Sequence, residues 1–125
     1  FFKLMRVSRE DKAAFLTPQM ESFFRALAQT MAEAKMLRFG VLEISAKPVA
    51  VVMCFDYNDK VYLYNSGYDP DYSNVSVGLL SKLLSIKDSI ERGKKVYDFL
   101  KGPEEYKHRL AGREIPIYSC RIILT

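Results

Sequence analysis

Tyr97-Asp98-Phe99-Leu100-Lys101-Gly102-Pro103-Glu104-Glu105-Tyr106-Lys107 is the stretch on which the fold turns. It opens as an apolar strand, with Val96, Asp98 and Leu100 on one face and Tyr97 and Phe99 on the other, because successive side chains of a strand alternate. A carboxylate among apolar neighbours is costly unless a hydrogen bond or a cation answers it, or its pKa rises. The strand breaks at Gly102-Pro103, where Pro103 suits the first position of a helix whose positive first turn carries Glu104 and Glu105. A strand, a tight turn and a short helix from Pro103 to Leu110 would bring Lys107 to Asp98. This ion pair is the expected anchor of the segment.

Working back from this strand, Ser76 or Val77 to Arg92 reads as a helix, with apolar residues at 79, 80, 83, 84, 86 and 90 and Gly93 just past its end. Gly67 to Asn74 is a polar, turn-rich loop ahead of it. Before that loop come three β-rich runs, Leu37 to Ser45, Pro48 to Tyr57 and Lys60 to Ser66, joined at Ala46-Lys47 and Asn58-Asp59. They predict an antiparallel meander. The third run, the helix and a strand from Lys95 to Leu100 make a βαβ unit, so those two strands should run parallel.

At the N-terminal side, Phe1 to Val7 is open between a strand and a tail. Ser8 is expected to cap a short helix from Arg9 to Leu16 with Glu10 and Asp11 in its first turn, and Thr17-Pro18 to cap and start a longer one. In that second helix Met20, Phe23, Phe24, Leu27, Met31 and Ala34 recur at helical spacing as a core-facing stripe. Glu114 to Leu124 reads as a closing strand or hairpin. The predicted class is α+β: a mixed, mostly antiparallel sheet flanked by helices.

The chain of 125 residues is one domain by size, and its 49% hydrophobic and 27% charged residues exclude disorder. No apolar run approaches the roughly 20 residues of a membrane span. Cys54 and Cys120 lie in apolar runs without CxxC or histidine spacing, which predicts buried free thiols in a reducing, cytoplasmic setting. With His108 as the single histidine, neither a structural zinc site nor a Ser-His-Asp triad has support, and no metal is expected. His108 itself should face solvent. The net charge of +4 is concentrated: Lys82 to Arg113 holds nine lysines and arginines against five acids, leaving ten of each elsewhere from totals of 19 and 15. Such a segment is a solvated basic face or an anion-binding one.

The chain resembles the GNAT-type acyltransferase domain of the FemAB and CelD-like group. The resemblance rests on Asn65-Ser66-Gly67-Tyr68-Asp69-Pro70-Asp71-Tyr72, on Ser76-Val77-Gly78-Leu79-Leu80 and on the Asp98-Phe99 to Tyr106-Lys107 segment, in order and over roughly residues 10 to 112. It implies a GNAT-like fold and an N-acyltransferase that moves an acyl group from acetyl-CoA or another acyl-CoA to an amine or amino sugar. Members of the group carry two such halves. The chain opens at Phe1 without an initiator Met, so we expect a single domain over residues 1–125 that is the second half of a longer protein with a missing N-terminal half-domain.

The first turn of the crossover helix, Ser76 to Leu80, holds no acid, and the first carboxylate after it is Asp88. The positive end of the dipole and its free N–H groups are therefore unneutralised, as an anion site requires, although a helix start with a small residue for packing has the same appearance. The resemblance places the pyrophosphate of acyl-CoA on Ser76, Val77, Gly78, Leu79 and Leu80, with Gly78 the one residue left of the family's usual Arg/Gln-x-x-Gly-x-Gly/Ala loop. It also implies that the sheet splays at Asn65 and Ser66, freeing a strand N–H to polarise the thioester carbonyl. The acceptor amine must lose a proton and the departing thiolate must gain one. Asp98 is the candidate base, supported by Lys107, and Tyr68 the candidate acid; the alternative for Asp98 and Lys107 is a structural pair. Two further readings remain: FemAB-like aminoacyl transfer from a charged tRNA, and an inert half-domain that scaffolds or binds substrate.

Overall fold

A computed structural model describes residues 1–8 and 10–124, without the side chains of Glu10 and Asp11. Strands β1 (Leu37–Ile44), β2 (Lys47–Tyr57) and β3 (Lys60–Tyr68) form the expected antiparallel meander. Strand β4 (Val96–Asp98) joins the start of β3 in parallel, giving the order β1-β2-β3-β4. The mixed sheet and the parallel βαβ closure are those the residue pattern predicted. Ser45 and Ala46 both take positive φ, 51° and 63°, so the first hairpin turns at Ser45-Ala46, one residue earlier than read from sequence. A two-residue turn of that twist needs left-handed backbone at both positions.

β2 is the centre of the core. Val49-Ala50-Val51-Val52-Met53-Cys54 is buried throughout, as befits a strand covered on both faces. Helices α1 (Phe2–Ser8), α2 (Glu10–Phe15) and α3 (Pro18–Glu33) gather on one face, and α4 (Val77–Glu91) lies on the other. Neighbouring residues of β3 record this: Gly67 abuts the α1 backbone, whereas the Tyr68 ring meets Gly78 of α4. The open segment 1–7 is thus helical. It folds that way because Met5 docks with Leu16 and Phe24, beside Tyr64.

Ser8, expected to cap the helix that starts at Arg9, is itself helical. It ends α1, its buried Oγ donating to the Met5 carbonyl at 2.9 Å; Arg9 and the side chains of Glu10 and Asp11 lie outside the described residues. Thr17 does cap α3, its Oγ accepting from Met20 N at 3.2 Å. Of the expected stripe, Phe24 is fully buried and Met20, Leu27 and Met31 are half-buried, while Phe23 and Ala34 are exposed. The contact line is narrower than the apolar pattern.

α4 reverses the expected amphipathicity. Its sheet-facing residues are Val77, Ser81, Lys82 and Ser89, while Leu80, Leu83, Leu84 and Ile90 are exposed. Hydroxyls satisfy themselves within the helix, Ser81 on Gly78 O and Ser89 on Ser85 O, both at 2.8 Å, so this polar stripe packs without stranded donors. Gly93 ends the helix at φ 78°, as predicted.

The C-terminal third departs most from expectation. β4 stops at Asp98 because the chain turns there: Asp98 Oδ1 accepts from Leu100 N at 2.7 Å and Leu100 takes φ 61°. Helix α5 runs over Glu105–Arg109 with Glu104 as its cap residue, so Pro103 precedes the helix and does not open it. Beyond it, the expected strand or hairpin at 114–124 is not formed: among the described residues no strand pairs with this segment, and Ile115, Ile117, Tyr118, Ile122, Ile123 and Leu124 are 71% to 90% exposed. Cys120 is accordingly exposed, which corrects its expected burial, while Cys54 is a buried free thiol that burial holds above the ordinary thiol pKa.

Candidate functional site

The site is built from the end of β3, the start of α4 and the turn into α5. β3 and β4 pair across Lys60–Tyr62 and Val96–Asp98 and no further. From Leu63 to Tyr68 the edge of β3 on that side has no strand beside it among the described residues, so the sheet opens where the family resemblance implied a splay. A register irregularity opposite Met53/Cys54 leaves Tyr64 as the extra residue of β3 just inside this opening.

Asn65 and Ser66 line the opening with their backbone. Ser66 N–H is held by the Asn65 side-chain oxygen at 2.9 Å, a local bond that a ligand carbonyl could replace. Lys12 of α2 reaches across from the other face, donating to Ser66 O at 2.6 Å and to Asn65 Oδ1 at 3.4 Å. Sequence reasoning missed Lys12, because nothing in the spacing of residues 12 and 66 announces their meeting.

At the end of β3 the chain makes a 3-10 turn over Pro70–Val75, and Ser76 then reverses it in left-handed conformation, φ 51°. α4 begins there with no capping side chain and no acid in its first turn. Its leading N–H groups are therefore left to solvent or ligand. Ser76 and Leu80 are exposed, Gly78 and Leu79 half-buried and Val77 fully buried against Val49 and Ala50. Gly78 has a packing reason as well: a Cβ there would sit 3.1 Å from the Tyr68 ring. Tyr68 thus braces the helix start and stands at the mouth of the opening. The donor set fits an anionic, extended ligand that lays its charge on the helix start and its remainder along β3.

Asp98 and Lys107 are not directly paired. Lys107, 8% exposed, places its three donors on Leu100 O at 3.3 Å, Gly102 O at 3.0 Å and Glu104 Oε2 at 2.8 Å. Asp98 is half-buried between the exposed side chains of Val96 and Leu100. Its carboxylate is answered by the Leu100 N–H, so Leu100 links the two residues through opposite ends of its backbone. The expected ion pair is not formed: Leu100 stands between the two side chains, its N–H on Asp98 and its carbonyl on Lys107, because the turn after β4 gives each a backbone partner first. His108 is exposed and lies 3.3 Å from Glu114.

Lys82 is the second missed residue. It is 6% exposed on the sheet-facing side of α4, with Nζ 3.2 Å from Gly78 O and 4.5 Å from the centre of the Tyr106 ring. Loss of water around the ammonium, with the positive charge of Lys12 adding to it, pulls its pKa down to about 8. Burial, reinforced by Glu104, pushes Tyr106 up to about 12, so that phenol stays protonated. In the basic segment Lys87, Arg92 and Lys94 pair with Glu91, Asp88 and Asp56, which makes that part of it a neutralised face. No helix among the described residues is long and apolar enough to cross a membrane.

No curated protein matches this chain in sequence. Among solved structures, the fold is similar to a possible acetyltransferase from Clostridium difficile 630, at 13% identity and TM-score 0.62 over 98% of this chain and 90% of that one. It is also similar to the PaiA N-acetyltransferase of Thermoplasma acidophilum, solved with coenzyme A, at 15% identity and TM-score 0.52 over 74% and 65%. The ribosomal-protein-S18-alanine N-acetyltransferase of Escherichia coli aligns at 24% identity and TM-score 0.46 over 53% of this chain. The chain spans 44% of the length of the Escherichia coli protein and 65% of the Thermoplasma one. The sequence model of the acetyltransferase (GNAT) domain matches residues 1–108, most of the chain, and the protein belongs to the GNAT acetyltransferase family.

Proposed function

We propose that the chain is the acyl-CoA-binding unit of an N-acyltransferase that acylates an amine or amino sugar. The observation that carries this reading is the sheet opening beyond Tyr62 and Asp98, set directly against an uncapped, acid-free start of α4. Ser76 to Leu80 receive the pyrophosphate on backbone N–H groups, and the pantetheine arm runs into the opening as a short substitute for the absent strand pairing. The thioester carbonyl accepts from the Ser66 N–H once the Asn65 side chain swings aside, with Lys12 close by to favour the oxyanion. Tyr68 protonates the departing thiolate. Asp98, held by Leu100 and through it by Lys107, is the candidate base read from the sequence.

The narrower placement in the FemAB and CelD-like group, in the cytoplasm and as the second half of a two-half protein, belongs to the same proposal. The exposed apolar face of α4 supports it, because Leu80, Leu83, Leu84 and Ile90 form a surface that a second half-domain would cover. Aminoacyl transfer from tRNA draws on the basic segment alone, and part of that is neutralised by Glu91, Asp88 and Asp56.

Calorimetric titration of acetyl-CoA into the chain tests this reading, with Gly78→Glu as the control. That change puts a carboxylate on the phosphate path and crowds Tyr68. Binding by the parent and a loss of at least about tenfold in the variant is the expected result, since one such charge against a pyrophosphate is worth about 1.4 kcal/mol or more. Equal binding by both would remove the helix start from the site.

A further inference from the structure

The sheet-facing side of α4 carries small residues, Gly78, Ser81, Ser85 and Ser89, with one long polar side chain among them, Lys82. Its Nζ lies on Gly78 O and against the face of Tyr106, near enough to Lys12, which donates to Ser66 O, for that charge to act on it. The charged and titratable groups that act on it are Lys12 from α2 and Tyr106 from α5; Lys107, paired with Glu104, flanks the same Tyr106 ring, Tyr68 at the end of β3 meets Gly78, and Tyr97 of β4 bonds Ser85 one turn along. Glu104 answers Lys107, and among the described residues no carboxylate pairs with Lys82. An ammonium so placed is held by one carbonyl and one aromatic face. That is poor compensation for its lost water.

We propose that Lys82, as a neutral amine, takes the proton that the acceptor gives up as it attacks the thioester. The step balances: the acceptor nitrogen bonds the carbonyl carbon, the C–S bond breaks, Tyr68 protonates the departing sulfur, and Lys82 receives the nitrogen's proton and passes it to solvent, from which Tyr68 is reprotonated. The inference rests on the acyl-CoA reading of the site and moves the base from Asp98 to Lys82. Asp98 lies on the opposite face of β4 from Tyr97, whose hydroxyl reaches α4, and its carboxylate is engaged by Leu100 N. Lys82 lies on Gly78 at the helix start, on the buried side of α4. In the ligand-free chain its lowered pKa, about 8, keeps a usable fraction of the free amine near neutral pH.

The test has two parts. In the first, the chain is pulsed with acetic anhydride at a series of pH values, with and without coenzyme A, and labelling of each lysine is read by mass spectrometry. Lys82 is expected to gain reactivity with a midpoint near pH 8 and to be shielded by coenzyme A. Reactivity that follows the exposed lysines, or no shielding under conditions where calorimetry shows binding, overturns the inference while leaving the acyl-CoA reading intact. Absence of calorimetric binding would instead be the failure of that reading. In the second, thiol release from acetyl-CoA is followed with ethanolamine as acceptor. As pH falls through about 8 Lys82 protonates in the free chain, so kcat/KM of the parent should fall; Lys82→Met should lose roughly 10²- to 10⁴-fold together with that limb, and Lys82→Arg should not restore it. A Lys82→Met rate equal to the parent's, or a limb removed by Asp98→Asn instead, overturns the assignment. Where ethanolamine turnover is too slow to read, the labelling decides.

Discussion

Two buried lysines in this chain meet opposite fates, and the difference is the number of oxygens each can reach. Lys107 finds three acceptors for its three donors, so its ammonium stays fully satisfied and ties the β4 exit to α5. Replacing it by Met keeps the stem but strands Leu100 O and Gly102 O. Lys107→Met should therefore lower the stability of the folded chain by about 2 to 3 kcal/mol, read as a fall in the urea midpoint at unchanged slope. An unchanged midpoint would mean these bonds contribute nothing. Lys82 finds one carbonyl, and its proton is correspondingly loose. The sequence made Lys107 a candidate because it sits in a motif. It gave no such notice of Lys82, since a lysine at one position of a helix with apolar residues at 79, 80, 83 and 84 looks like a surface residue.

At the scale of elements, that misreading has a single cause. Apolar periodicity identifies a helix but not the side it buries, and α4 turns its serines inward because their hydroxyls close on its own carbonyls and on Tyr97. The meander, the βαβ closure and the caps at Thr17 and Gly93 were legible because each depends on near neighbours in the chain. The strand expected at 114–124 was not, because a strand needs a partner and alternating apolar residues do not supply one. The packing of α1 belongs to the same class: Phe1 to Val7 is undecided locally and becomes a helix through contact with β3. Gly67 makes that contact possible, as a Cβ there would lie 2.4 Å from Met5 N and 2.6 Å from Leu4 C, both backbone atoms that cannot turn aside. Gly67→Ala should displace α1 and lower stability by about 1 to 3 kcal/mol, measured by thermal unfolding. Gly78→Ala, whose nearest neighbour is the edge of an aromatic ring at 3.1 Å, should cost less. The reverse order would refute this account of the α1 contact.

Across the whole molecule the parts of the candidate site come from well-separated stretches of sequence: Lys12, Asn65 and Ser66, Ser76 to Leu80 with Lys82, and Tyr106 with Lys107. They converge because β3 and β4 pair for three residues and then part. The family likeness pointed to the two β3 residues and the helix start, which are continuous in sequence, while Lys12 and Lys82 come to the site through the fold and could be found in the structure alone. The central claim is that this opening holds an acyl-CoA. Amide hydrogen exchange, followed residue by residue with and without acetyl-CoA, tests it most directly. Protection gathered at Asn65, Ser66 and Ser76 to Leu80, with the outward face of the sheet at β1 unchanged, is the predicted result. Protection elsewhere on the surface, with these residues exchanging as before, would contradict it.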